Sequence, residues 1–506
     1  MHGTDVDGAA GPDAPRSGAE PRGTRRFEDL GAAPTPAVLG WQANALRFLT
    51  RPIPFMKSLR ERHGNVALLA RGGNPSLFNQ PFPKRQIPRP ATVFAFGPEC
   101  NQRILTDLES FQNREPRGPK SPEFEALSTN ILFSNGDEHR RRRRQLMALL
   151  SGAVLKTYHG TMVEFARRMM DGWRDGDVVD IEREMASLST NIASKCLYGL
   201  DASKASENLA ARMSDMVNAL FSPVNLIPLA IPGTPYHRLL RNIREIKNDL
   251  SARISESADS DRTDLLSIIV RQQLKEVGEL DPDDLVGDFF VLFFAGHDTI
   301  HDALSWTLLL LAQHPRVMEE LMAELDGEVS GEAPTYDQLF VLPVLDRVVK
   351  ESLRVLSPGL IFPRVAARDT ELGGFAIPAG TEVVYSPYMT HVDPDVYEHA
   401  SRFDPDRWTT IKPSVYEYLP FSAGRRMCLG AALGQMMLKV LVPMIVRRFR
   451  LEALPRKIDI RFHAVMGPKG GLPMRLRRQD GAFGKSVADL SGEIADMVDW
   501  RFGTGG

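Results

Sequence analysis

Residues 421–430 read FSAGRRMCLG. No other stretch narrows the possible folds as much, because it sets Cys428 between glycines and arginines just ahead of an apolar, helix-like run. A thiolate is a soft ligand that iron accepts as an axial donor, and by pushing electron density onto the metal it favours cleavage of bound dioxygen. Gly424 and Gly430 let the backbone turn sharply and approach a flat cofactor, since glycine lacks Cβ and tolerates positive φ. The run LGAALGQMMLKVLV that follows predicts a helix. Cys428 then lies at its N-terminus, where the dipole and free N–H groups favour an anion. A lone cysteine is more commonly a small buried apolar residue, and spacing by itself leaves both readings open.

At 506 residues the chain is long enough to enclose a cofactor and a substrate cavity. Its formal charge of -2 argues against a general nucleic-acid binder, which carries a strong basic excess. Cys100, Cys196 and Cys428 are too few for a disulfide framework and suit a reducing compartment, so a cytoplasmic protein without disulfides is expected. Residues 1–35 are rich in Gly, Ala, Pro and charge, and predict a disordered leader. The apolar stretches near 289–294 and 308–312 are interrupted by Gly296, His297, Asp298 and Asp302, so no membrane-spanning helix is predicted.

The pattern along the chain is mostly helical. A helix is predicted over 41–63, strands over 65–70 and 91–96, and helices through most of 97–354, with Val154, Tyr158, Met162 and Phe165 at helical spacing. A long helix is predicted over 285–311. The segment FAIPAGTEVVYSPY reads as a β-hairpin, and 462–476 as a strand pair. In 478–506, Val487, Leu490, Ile494, Met497 and Val498 mark one face of a possible amphipathic helix, which would dock on the body or a partner or stay solvated. The fold class is mainly α with small β-sheets, an α+β chain.

Phe421, Gly424, Arg426, Cys428 and Gly430 fit F-x-x-G-x-R-x-C-x-G, the heme-binding signature of the cytochrome P450 family. With three further motifs in order, the chain resembles that family from about residue 46 to 477. The resemblance implies a single triangular catalytic domain over 36–477, with heme b buried between the long oxygen-side helix and the Cys428 loop and helix. Cys428 is then the axial ligand. Ala295, Gly296, His297, Asp298 and Thr299 fit A-G-x-[DE]-T, which implies that Ala295 lies against heme and that Asp298 and Thr299 deliver protons so that O–O cleavage outruns peroxide release. Gly296 is expected to open the helical ladder there, and His297 to be structural or solvent-facing. Glu351 and Arg354 stand one helical turn apart and, with Arg407 in FDPDRW, look like the family's buried structural triad. His139, Arg143, Arg364 and Arg426 match positions that hold the heme propionates. The run Arg140–Arg144 also suggests a nuclear or nucleic-acid signal. Against that, Arg143 shares a helix side with His139, while the outward arginines, with Arg425 and Lys439, form either a docking patch for an acidic ferredoxin or flavodoxin or a solvated face.

The resemblance implies a heme-thiolate monooxygenase that inserts one oxygen atom from O2 into a lipophilic small molecule. Without a dinucleotide fingerprint or iron–sulfur cysteine set, electrons are expected from a separate ferredoxin or flavodoxin with its reductase, to a monomeric enzyme. Substrate is expected against 111–131, 290–295, 360–362 and the turn at Val465, beneath a proline-rich roof over 220–240 like that of members acting on sterols, retinoids and terpenoids. A heme-thiolate isomerase, lyase or peroxygenase needs no proton relay, and a non-enzymatic heme sensor would turn over no substrate. Met437 departs from the Glu that many relatives carry, and Pro443 should kink the Cys428 helix.

Overall fold

The computed structural model describes residues 24–501, apart from most of 72–90, 114–128 and 200–230 and from 149, 258–263, 280–281 and 463–464. The helices in chain order are α1 (Gly40–Thr50), α2 (Pro52–His63), α3 (Pro98–Thr106), α4 (Gly136–Ala148), α5 (Gly152–Asp171), α6 (Ile181–Tyr198) and α7 (Pro235–Ser257). There follow α8 (Leu265–Val277), α9 (Pro282–Gln313), α10 (Pro315–Glu328), α11 (Pro343–Val355), α12 (Pro387–His391) and α13 (Ala431–Arg448). Pro52 starts a new helix inside the predicted 41–63 span, as expected of a residue without an N–H to donate. Most of α9 is apolar on all sides, which is the pattern of a helix enclosed by others. Tyr158, Met162 and Phe165 of α5, Met185 and Leu188 of α6, Leu304 and Leu308 of α9 and Leu441 of α13 share one buried core.

Strands β1 (Gly31–Ala32), β2 (Val66–Leu68), β3 (Thr92–Ala95) and β4 (Phe111–Gln112) join β6 (Phe362–Ala366) and β9 (Glu382–Tyr385) in one sheet ordered β1-β2-β3-β9-β6-β4; β5 (Val178–Asp180) lies elsewhere. The expected hairpin over FAIPAGTEVVYSPY does not form. Its first half is β8 (Phe375–Ile377), which pairs instead with β7 (Thr370–Leu372), and its second half is β9, which runs between β3 and β6. Gly373 and Gly374, at φ 57° and 80°, make the two-residue turn that hairpins prefer. Buried Glu382 then ties β9 to the hydroxyl of Thr92 on β3 at 2.9 Å.

Both ends of the chain depart from expectation. Residues 1–23 of the predicted leader lie outside the described residues, but 24–35 are packed: Arg25 stacks 3.6 Å over the Phe375 ring, Leu30 is buried and Gly31 pairs with Ala67. The small residues that suggested disorder permit close approach, since a Cβ on Gly31 would lie 2.5 Å from His63 Nδ1. Among the described residues the predicted C-terminal amphipathic helix does not form. Phe483–Ser486 and Glu493–Asp496 form short 3-10 turns, and β15 (Leu490–Ser491) pairs with β11 (Arg456–Lys457). Ile494, Met497 and Val498 are nonetheless buried, and Trp500 packs against His314 at the end of α9. Long-range packing replaces the helical hydrogen bonds of a segment too short to hold a helix by itself. Between β11 and β15 run β12 (Ile460–Phe462), β13 (Met466–Pro468) and β14 (Pro473–Arg478); β12 pairs with β13, and β14 with β10 (Phe449–Ala453) and β5. The helix α13 is not ended by Pro443, which is buried within it.

Candidate active site

The loop before α13 is folded by specific backbone constraints. Gly424 has φ 68°, and a Cβ there would lie 3.0 Å from the Leu105 carbonyl oxygen, so both its conformation and its space exclude a side chain. Ser422 shares the left-handed region, and the Cys428 N–H donates to the Phe421 carbonyl at 2.8 Å, closing the loop. Gly430 departs from expectation. Its φ of -82° is ordinary, it caps α13, and its value lies in its N–H, which faces the Cys428 sulfur. Cys100 and Cys196 are buried, whereas Cys428 is exposed. Burial among neighbouring groups still pushes the Cys428 thiol up, opposed by the Gly430 N–H and the Arg143 charge. A sulfur that is both accessible and desolvated lies in a concavity.

The helix α9 packs against α13, the helix that follows this loop. Ala295 is exposed and Gly296 through Thr299 are half-buried, midway along a helix whose flanks are buried. Just beyond, a Cβ on Gly434 of α13 would lie 3.0 Å from Ile300 Cδ1, so this glycine lets the two helices close on one another past the site. The helix α9 is continuous through Gly296, and the expected opening of its ladder does not occur; a Cβ there would meet open space. Thr299 donates its hydroxyl to the Ala295 carbonyl at 2.5 Å, which leaves its lone pairs free to accept. Asp298 turns to His297, with Oδ1 2.6 Å from Nδ1. Burial alone would raise this carboxyl, but the His297 bond and the charges of His297, His301 and Arg461 outweigh it and hold Asp298 below the usual carboxylate range.

His297 is half-buried rather than solvent-facing. It stacks on Phe293 at 5.9 Å and carries the Asp298 bond. Behind it stand His301 and Asp302 on α9, Arg461 on β12 and Glu182 on α6, none of which motif matching singled out as functional. The signal was present in HDTIHD, where a His-Asp pair recurs after four residues and so returns on one face of a helix.

Four cationic positions meet beside the cysteine. His139 is buried on α4; Arg143, one turn on, donates to the Met427 carbonyl at 2.8 Å. Arg426 donates to the Ser134 carbonyl at 2.6 Å and to Asn135 Oδ1 at 2.7 Å, and Arg364 on β6 lies over the Tyr385 ring. Among the described residues none of these arginines pairs with a carboxylate, and the buried Arg364 Nε has no acceptor at all. Burial and the charges of Arg426, Arg143, Arg140 and Arg364 push His139 down to about 4. Burial and the charges of Arg364 and Arg143 bring Arg426 down to about 10. Like charges gathered in a partly buried site without counterions fit a ligand that carries negative charge. A planar dicarboxylate such as heme, held between exposed Cys428 and exposed Ala295, meets that requirement.

Glu351, Arg354 and Arg407 meet as expected. Arg354 donates to both oxygens of Glu351, at 2.9 and 2.8 Å, and to the carbonyls of His391, Ala400 and Arg402. Arg407 Nε and Trp408 Nε1 complete the carboxylate at 2.8 and 3.0 Å. The expected basic docking patch is smaller than its sequence suggests. Arg142 is buried and bound by Glu138, Asp284 and Asp288; Arg141 pairs with Glu138 and Asp284; Lys439 pairs with Asp346. The exposed Arg144 and Arg425 remain. Of the expected substrate wall, Phe111, Phe290, Leu360, Ile361 and Val465 are buried and apolar, while most of 114–128 and of the roof lies outside the described residues.

A mainly helical body that sets an accessible cysteine against a long helix bearing an acid and an alcohol is the architecture of a heme-thiolate oxygenase. The family model named Cytochrome P450 matches residues 78–472, and the chain belongs to that family. It is 28% identical to cyclooctat-9-en-7-ol 5-monooxygenase of Streptomyces melanosporofaciens, over 84% of this chain and 90% of that protein. To pentalenene oxygenase of Streptomyces avermitilis it is 26% identical, over 79% and 86%. Among solved structures, a retinoic acid-bound cyanobacterial P450 shares the fold at TM-score 0.75 and 24% identity, covering 89% of this chain and all of that one. A cytochrome P450DA heme domain does so at 0.76 and 22%, covering 91% and 99%. The chain is therefore a cytochrome P450 monooxygenase with a heme-thiolate cofactor, using O2 and electrons from a redox partner to oxygenate a lipophilic small molecule. Among the described residues no helix is long and apolar enough to cross a membrane.

Proposed function

We propose that Cys428 is the axial thiolate of heme b, that Arg143, Arg364, Arg426 and His139 hold its propionates, and that Asp298 and Thr299 manage protons on the oxygen side, within one catalytic domain over 36–477. The observation that carries this reading is the group of arginines without carboxylate partners beside an accessible cysteine. When bound, heme supplies dioxygen reduction and O–O cleavage, assisted by electron donation from the thiolate. Gly424 and the Phe421 carbonyl fix the loop that presents the sulfur; Phe421 and Gly430 border it. Ala295, the smallest side chain that still makes a wall, faces the opposite side of the cofactor. Thr299 accepts a hydrogen bond there and Asp298 supplies a carboxylate for proton transfer. The triad Glu351, Arg354 and Arg407 holds the polypeptide on the thiolate side.

The substrate is a largely hydrocarbon, terpenoid-like molecule. The buried apolar side chains Phe290, Leu360 and Val465 support this, as does similarity to an oxygenase named for pentalenene and a monooxygenase named for a cyclooctatenol. The electron donor is a ferredoxin or flavodoxin, the enzyme acts as a monomer in the cytoplasm, and the exposed Arg144 and Arg425 contribute to donor docking. The test is spectroscopic. The reduced, carbon monoxide-bound protein should give the red-shifted absorption band that a thiolate ligand produces, and Cys428→His should lose it while retaining heme. A panel of cyclic terpenes, retinoids and sterols, screened by the shift of the heme band, should single out the terpenes.

A further inference from the structure

The Asp298 carboxyl is bonded to His297 and held below the usual carboxylate range, so it has no proton of its own to give at neutral pH. Protons must reach it from behind, and the groups behind it form a connected set. His297, Asp298 and His301 bring their ligand atoms within 4.8 Å of one another, and so do Glu182, His301 and Asp302. His301 belongs to both groups. Its ring stands 5.1 Å from that of His297, edge to face, and its Nδ1 lies 3.1 Å from the His297 carbonyl, which fixes the ring. Its Nε2 faces Asp302 Oδ1 at 3.3 Å, with Arg461 Nη2 at 3.5 Å. Arg461 in turn binds Asp302 and Glu182, each at 2.9 Å. Asp302 is fully buried, and among the described residues its Oδ2 has no hydrogen-bond partner. Glu182, at the first turn of α6, is the partly exposed end of the set.

We propose that His301 is a positioning residue for oxygen activation, passing protons from Glu182, at the solvent edge, to Asp298. The proposal rests on the role of Asp298 given above. In the step, protonated Glu182 gives its proton to neutral His301, directly or through one water, leaving a carboxylate and an imidazolium. The imidazolium then returns a proton to Asp298 on the helix face they share, leaving neutral imidazole and a carboxylic acid. Glu182 regains its proton from solvent, so each passage moves one proton inward to Asp298 and restores Glu182 and His301; Asp298 returns to the carboxylate when it gives that proton up.

The electrostatics suit the direction. Burial and the charge of Asp302, set against Arg461, raise Glu182, so it can hold a proton nearer neutrality. Burial would lower His301, but the bond to Asp302 and the charges of Asp302 and Asp298 outweigh it and raise the imidazole, even against the like charge of Arg461. Among the described residues, Glu182, Asp298, Asp302 and Arg461, with His297, are charged and titratable groups that face His301 from α6, α9 and β12. His301 therefore carries its proton below its raised pKa and loses it as pH rises through that value.

The experiment compares the heme-loaded wild type with His301→Gln, Glu182→Gln and Asp298→Asn. His301→Gln keeps a donor for the His297 carbonyl but cannot carry a proton; Glu182→Gln is the milder change, at a partly exposed site. Peroxide released per electron pair should rise about tenfold in His301→Gln, less than the roughly 10²–10⁴-fold of a group that transfers the proton at the reacting atoms, because His301 acts through Asp298, with an unchanged resting heme spectrum. Coupling in the wild type should fall as pH rises through the His301 titration, and this limb should vanish in the variant. Asp298→Asn combined with His301→Gln should be no worse than Asp298→Asn alone. Independently of turnover, the ferrous carbon monoxide form is diamagnetic, so histidine NMR should show His301 titrating above the ordinary imidazole value and shifting in Glu182→Gln. If Asp298→Asn uncouples but His301→Gln and Glu182→Gln do not, the proposal is overturned and the role of Asp298 stands. If His301→Gln uncouples equally at every pH and His301 shows no titration, its role is structural and the proposal falls. If Asp298→Asn has no effect either, both fall.

Discussion

Two sets of arginines, one buried and one buried or half-buried, are balanced in opposite ways. Arg354, Arg407 and Arg142 are saturated: Glu351 serves the first two, and Glu138, Asp284 and Asp288 surround the third. Arg143, next to Arg142 in sequence, meets a backbone carbonyl and no carboxylate, and Arg364 and Arg426 share its condition. A saturated buried pair contributes little net stability, because desolvation offsets attraction, yet removing one partner is costly. An unsaturated set is the reverse. It is a liability to the protein alone and a site for an anion. The helix α4 carries both kinds on consecutive residues, set about 100° apart by the helical turn.

The saturated side should break hardest. Arg354→Ala leaves Glu351 buried beside a vacated guanidinium site and frees three carbonyls, an expected loss of about 3–5 kcal/mol, which is a large part of the stability of a typical protein. The check is the yield of folded protein and the denaturant midpoint. Arg354→Lys should recover little, since an ammonium cannot bridge a carboxylate and three carbonyls in one plane.

Arg142→Met should follow at about 3 kcal/mol, because Asp288 is left buried with only the Ile131 N–H, 2.6 Å away. Adding Asp288→Asn should return part of the loss, since an amide oxygen still accepts from Ile131. Urea unfolding of the two single variants and the double variant gives the coupling directly. Full additivity would mean that the pair contributes nothing together.

The legibility of these regions follows the same division. Glu351 and Arg354 are readable because three residues of helix fix their geometry. Cys428 and Gly424 are readable because a ten-residue loop fixes theirs. The fate of Arg142 was not, because two of its three carboxylates come from α9, some 140 residues later in the chain. Asp284 and Asp288, spaced i,i+4, hint at a shared face without saying what meets it. The pairing of β9 with β3 and β6, rather than with β8, is a choice between distant and adjacent strands that period-two alternation cannot make. In the same way HDTIHD marks a polar face on α9, but Arg461 and Glu182 reach it only through tertiary packing.

On the unsaturated side the expected effects are smaller and depend on the cofactor. Arg364→Met should leave the cofactor-free protein as stable as before or slightly more so, since it removes a like charge facing Arg426. The loaded enzyme should lose heme to a scavenger protein about tenfold faster, the equivalent of one charge-assisted hydrogen bond of about 1.4 kcal/mol. Equal destabilisation of both forms would place Arg364 with the saturated set.

The smallest effect is the most diagnostic. His139 and His314 are both held down to about 4. For His139 the causes are burial and then four arginine charges; for His314 the cause is burial, partly opposed by the Leu310 carbonyl and Asp499. An imidazole that stays neutral when folded but protonates when unfolded makes the unfolded state bind more protons. Stability is therefore retained above the ordinary imidazole value of 6.5 and lost as pH falls toward about 4. Between about pH 7 and about pH 5.5 the His139 share of that loss is about 1 kcal/mol in the cofactor-free protein. Carboxylates bound among the arginines would cancel the charges that depress His139 and leave His314 untouched. Urea unfolding at the two pH values, with and without heme, should then show that His139→Gln flattens the acid loss more when heme is absent than when it is bound, since burial, the larger cause, remains in both forms. If the substitution acts equally in both forms, the charge that balances these arginines is not on the cofactor.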